Sequence, residues 1–106
     1  MEIIKYQELK GYITDNGGAS FMSKKIYHHN KRTNKFHKGF AFYLYKHLSK
    51  EDIKALKERY CNIVTGTAYY KSRPEEIFQT ITIFYDPIDV VVMAASAKHH
   101  TSTRMS

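Results

Sequence analysis

Four of the six histidines, His28, His29, His37 and His47, fall in one stretch of the chain, between Asn16 and Lys50. Imidazoles could act as general acid and base on a phosphodiester, with Lys38 or Arg32 stabilising the developing charge. That would be a small histidine-dependent nuclease. The spacing supports no such set. The stretch has no Asp or Glu, so a metal-dependent version would need Asp86 and Asp89 to converge on it from elsewhere. Within a strand, adjacent residues point to opposite faces, so His28-His29 cannot chelate as a helical i, i+4 pair does. His99-His100 has the same defect, and neither His-x-His nor HExxH occurs. Cys61 has no obvious base beside it in sequence and reads as a structural thiol. The expectation is a non-enzymatic protein with no metal and no cofactor.

The cations of the same stretch are more informative. Lys24, Lys25, Lys31, Arg32, Lys35, Lys38, Lys46 and Lys50 stand there without a single carboxylate. The other nine basic residues are offset by ten acidic ones, so the net charge of +7 resides in this segment. A one-sign run in a balanced chain suits a polyanion, either nucleic acid or an acidic protein surface. With 106 residues, 42% of them hydrophobic, the chain is long enough for one packed domain and too apolar for global disorder. A lone cysteine cannot form an internal disulfide and fits a reducing compartment. The start MEIIKYQELK has no signal-peptide character, and the longest apolar run, Val90 to Ala95, is too short to span a bilayer. A cytoplasmic protein with no membrane association is expected.

The elements that must carry these residues follow from pattern. Glu2 to Tyr6 alternates weakly, as a first strand would. Gln7 to Thr14 is compatible with a short helix or a strand. Asp15-Asn16-Gly17-Gly18 is a strong turn, because Asn and Gly tolerate positive φ. Phe21 to His29 and Phe36 to Tyr45 read as strands of a hairpin closed by the polar segment 30–35. Ser49, with Asp52 three residues on, predicts a capped helix over about 50–60, with Leu48 and Ile53 as a staple. Asn62 to Lys71 reads as a strand. Ser72-Arg73-Pro74-Glu75-Glu76 looks like a second helix start. Thr80 to Tyr85 and Asp89 to Ala95 read as further strands. The expected fold is α+β: a mostly antiparallel sheet of four to six strands with one clear helix and one or two short ones, a single domain over 1–97 and a flexible tail over 98–106.

The run Lys38-Gly39-Phe40-Ala41-Phe42-Tyr43-Leu44-Tyr45 resembles the first signature of the RNA recognition motif family, with Tyr43 where an aliphatic residue is usual. The preceding segment 30–35 resembles that family's basic loop, and Ser49 to Leu56 its second helix, so the resemblance spans about residues 24–71. It implies single-stranded RNA as ligand, Phe40 and Phe42 as stacking rings and Lys38 as a phosphate contact. Strand alternation puts Phe40, Phe42 and Leu44 on one face and Ala41, Tyr43 and Tyr45 on the other. The same run also fits a strand buried on both faces, with only the loop left for phosphate.

The resulting expectation is a small basic nucleic-acid-binding protein, RNA preferred. Lys31, Arg32, Lys35 and Lys38 would hold the backbone, supported by Lys24 and Lys25, while Phe40, Phe42 and Tyr27 would stack bases. The alternative is a small inhibitor or adaptor, of the kind a phage makes against a host enzyme, whose basic hairpin docks on an acidic or nucleic-acid-binding site. Exposed edge strands would also let two copies pair as a homodimer.

Overall fold

The computed structural model describes residues 2–86 and the short segment 103–104. The elements in chain order are α1 (Tyr6–Asp15), β1 (Ala19–Asn30), β2 (Lys35–Lys46), α2 (Lys50–Arg59), β3 (Ile63–Tyr70), β4 (Arg73–Phe84) and β5 (Thr103–Arg104). They form one sheet in the order β1-β2-β4-β3-β5, with the first four strands antiparallel and β5 parallel to β3. This is an α+β fold.

The two helices bury their apolar stripes against one face of the sheet. Leu9 and Ile13, one turn apart on α1, and Leu56 of α2 meet Phe42 and Leu44 of β2, Ile63 of β3, and Ile81 and Ile83 of β4. Each of these larger side chains contributes roughly 1.5–3 kcal/mol by leaving water. The helix ends are set locally. Ser49 Oγ accepts the Asp52 amide at 3.1 Å, the cap expected from the sequence. Gly17, at φ 81°, ends α1, and the Gly18 and Gly17 amides donate back to the Ile13 and Thr14 carbonyls. That is a Schellman closure, and it needs a residue tolerant of positive φ.

Two expectations change and one open alternative is resolved. Glu2 to Tyr6 is no strand: Glu2 makes one bridge to Tyr60 and the chain turns into α1 at Tyr6. Gln7 to Thr14 is helical throughout. No helix begins at Ser72–Glu76, because β3 and β4 are joined by a tight turn at Lys71-Ser72 and β4 starts at Arg73. Pro74 sits where the β3–β4 register is irregular, so its missing N–H removes no regular rung there. The expected strand Asp89 to Ala95 lies outside the described residues. Of the expected tail 98–106, only the pair 103–104 is described, and it lies against β3. Among the described residues, no helix is long and apolar enough to cross a membrane.

Candidate nucleic-acid interface

β1 and β2 pair along almost their full length, from Ala19–Lys46 to Asn30–Lys35. β4 joins β2 only from Gly39 to Leu44, with one more bond from the Tyr85 amide to the Lys38 carbonyl. Beyond that point the hairpin is a two-stranded arm, residues 27–30 against 35–38. Its turn is held by side chains. Asn30 is buried, and its Oδ1 accepts the Arg32 and Thr33 amides. Asn34, at φ 57°, engages His29 Nε2 at 2.9 Å.

Pairing register assigns each side chain to a face. Lys25, Tyr27 and His29 lie opposite Phe40, Lys38 and Phe36, on the face that carries the helices farther along the sheet. Lys24, Ile26, His28 and Asn30 lie opposite Ala41, Gly39, His37 and Lys35 on the other face. Lys31 and Arg32 occupy the turn. The cations therefore lie on both faces of the arm and at its tip. The ion pairs Glu2–Arg59, Lys54–Glu58 and Arg73–Glu76 lie away from the arm.

The rings are distributed differently from the expectation. Phe42 is only 3% exposed and packs against Tyr6 of α1 with ring centroids 5.3 Å apart. It has no free face and cannot stack a base. Phe40 is half-buried, edge-on to Tyr6 at 5.4 Å and to Tyr85 at 6.3 Å. The reason is non-local: α1 folds over the face that Phe40, Phe42 and Leu44 share. Gly39 is required by the sheet rather than by a ligand, because a Cβ there would overlap the Ile83 carbonyl oxygen. The accessible rings of the arm itself are Tyr27 (68%) and Phe36 (67%). Lys38 Nζ lies 5.8 Å from the Tyr27 centroid. Phe36 stacks on His29 at 4.5 Å with 21° between planes. Phe36 was missed because it follows the polar loop. Its parity with Lys38 and Lys25's partner Phe40 is the signal that would have placed it.

His28 and His37 face each other across the strands, centroids 6.4 Å apart, with His28 Nε2 and His37 Nδ1 buried and without a hydrogen-bond partner among the described residues. Burial, and then the neighbouring His37 and His29, hold the His28 pKa below 6.5. An unfolded His28 would titrate near 6.5, so between its folded pKa and 6.5 the unfolded chain binds more protons. Stability is therefore expected to fall as pH drops from 7.5 to 5.5. In urea titrations at the two pH values, His28→Gln should reduce that loss; an unchanged loss would remove His28 as its source. Glu2, whose pKa is lowered by Arg59, keeps its contribution throughout this window and loses it only as pH falls below about 4.5.

Among the described residues, no group of three or more His, Cys, Asp or Glu side chains converges to hold a metal. The Cys61 thiol donates to the Glu2 carbonyl at 3.4 Å. A cleft of about 420 Å³ along α2 mixes Lys50, Lys54 and Lys57 with Glu58 over Leu48 and Ile53, and no residue of the arm lines it. No family model matches the chain. No curated protein and no solved structure matches it either.

Proposed function

We propose that this is a non-enzymatic nucleic-acid-binding protein whose β1–β2 arm grips a single strand, RNA in preference to DNA. The observation that carries this reading is the arm itself. Among the described residues it is a two-stranded ribbon with cations on both faces and tip, no carboxylate in its own sequence, and two exposed rings on the Lys38 face. Lys24, Lys25, Lys31, Arg32, Lys35 and Lys38 neutralise phosphates, while Tyr27 and Phe36 take the stacking role that Phe42 cannot. Flat rings beside cations bind unpaired bases without needing to read their edges.

The salt dependence of binding tests it. If about four phosphates are neutralised, affinity for a single-stranded RNA should fall roughly 50-fold between about 50 and 200 mM salt. Lys31→Ala with Arg32→Ala should flatten the slope of log K against log salt by about 1.4. Absence of binding in dilute buffer, or a slope that this double substitution leaves intact, would refute the reading.

A second reading has the arm docking on an acidic protein surface. It is favoured by the position of β1, which among the described strands lies at an edge of the sheet and leaves backbone groups open to strand addition. Lys24 and Lys25 on that edge oppose pairing with a second copy of the same edge. Pull-down with and without nuclease treatment separates the two readings: a stoichiometric protein that survives digestion favours the second.

A further inference from the structure

We infer that Tyr27, Lys38 and Tyr85, with Lys25 beside them, form the seat for one unpaired nucleotide. This rests on the nucleic-acid reading above and narrows it to a place and a ligand. The three residues make one row across three strands. Tyr27 of β1 stands directly opposite Lys38 of β2. On the other side of Lys38, the Tyr85 amide donates to the Lys38 carbonyl at 3.2 Å. Tyr85 directly follows β4 and shares the parity of Ile83, which pairs with Phe40, so it stands on the same face as Lys38. The two tyrosines are thus separated by two strand spacings, about 9–10 Å at the backbone.

Between them is a cleft of about 220 Å³, lined by Lys25, Ile26, Tyr27, Lys38, Gly39 and Tyr85. Its size suits one nucleobase with its sugar. Neither tyrosine is consumed by packing. Tyr85 is 58% exposed and, among the described rings, meets the edge of Phe40, and Tyr27 is more exposed still. Neither hydroxyl is held by another described residue. Lys25 and Lys38 are diagonal neighbours across β1 and β2 on this face, which puts two ammonium groups within reach of the phosphates flanking a seated base. No carboxylate lines the cleft among the described residues. A base paired in a duplex has both faces covered by its stack, so walls of this kind select an unpaired one. Tyr85 comes from outside the basic run, which explains why the charge pattern does not reveal it.

The test is photo-crosslinking of the full chain to a single-stranded RNA decamer carrying one 4-thiouridine, followed by mass spectrometry of the crosslinked peptides. It is paired with affinity measurements on Tyr85→Ala and Tyr85→Phe. Crosslinks should fall on the peptides of Tyr27 and Tyr85. Tyr85→Ala should weaken binding of the decamer about fivefold to a hundredfold without changing the salt slope, and Tyr85→Phe should restore most of it. The same sequence as a duplex should bind less tightly. Crosslinks confined to the turn 31–35, with Tyr85→Ala binding as the parent does, would overturn the seat and leave the arm as a phosphate grip. Failure of the parent chain to bind the decamer at all would overturn both.

Discussion

Exchange of Asn62 for leucine is expected to lower the free energy of unfolding by about 3–6 kcal/mol, enough to bring a domain of this size close to its folding threshold. Asn62 is completely buried. Its Oδ1 accepts the Ile4 amide at 3.0 Å, and its Nδ2 donates to the Ile4 carbonyl at 2.9 Å and the Phe84 carbonyl at 2.7 Å. Its own carbonyl accepts the Phe84 amide. One side chain therefore replaces the ladder that would otherwise tie the segment before α1 to the sheet. Leucine has a similar volume and leaves no large cavity, so the loss measured is that of buried peptide groups without partners, about 1–3 kcal/mol each. Asn16 is the control. It also bonds a carbonyl, that of Tyr12, but in an exposed position, and Asn16→Ala should shift stability far less. Urea unfolding of the three proteins checks this; a loss below about 1 kcal/mol for Asn62→Leu would show that water can substitute for the amide.

That role could not be read from the chain, and the reason is instructive. At the start of a β-branched run, Asn62 looks like a strand residue in a polar position. Its burial depends on Ile4 and Phe84, 58 and 22 residues away. Signals that act within a few residues were legible. Ser49 and Asp52 marked the start of α2, Asp15-Asn16-Gly17-Gly18 marked a turn, which closes α1, and the alternation of 36–45 marked β2. Ser72–Glu76 misled because a Pro followed by carboxylates suits a helix start. Here the tight turn after Tyr70 and pairing with β2 and β3 override it. The candidate site divides the same way. Alternation put Phe40, Phe42 and Leu44 on a common face, but only tertiary structure shows that Tyr6 and α1 cover that face. The cationic run was visible at once. Its wrapping around a ribbon, and the approach of Tyr85 to Lys38, follow from strand order.

The displacement of the stacking role from Phe42 to Tyr27 and Phe36 gives the sharpest expected contrast between two sets of substitutions. Phe42→Ala removes a ring that is buried among Tyr6, Leu9 and Ile81 in one core cluster, and should cost about 3–5 kcal/mol in urea unfolding. Whatever fraction remains folded should bind single-stranded RNA with the parent's affinity, because that ring never meets the ligand. Tyr27→Ala with Phe36→Ala should do the reverse. Both rings are about two-thirds exposed, so stability should move by no more than about 1 kcal/mol. Losing two stacking platforms should weaken binding by roughly 30-fold or more, at about 1–3 kcal/mol per base. Because the lysines stay in place, the loss should be equal at low and moderate salt, unlike that of Lys31→Ala with Arg32→Ala. Unfolding curves and RNA titrations on the same preparations read both quantities. If the exposed pair can be removed without effect on binding while a folded Phe42→Ala protein loses it, the bases sit where the family signature places them, and α1 must move aside to admit them.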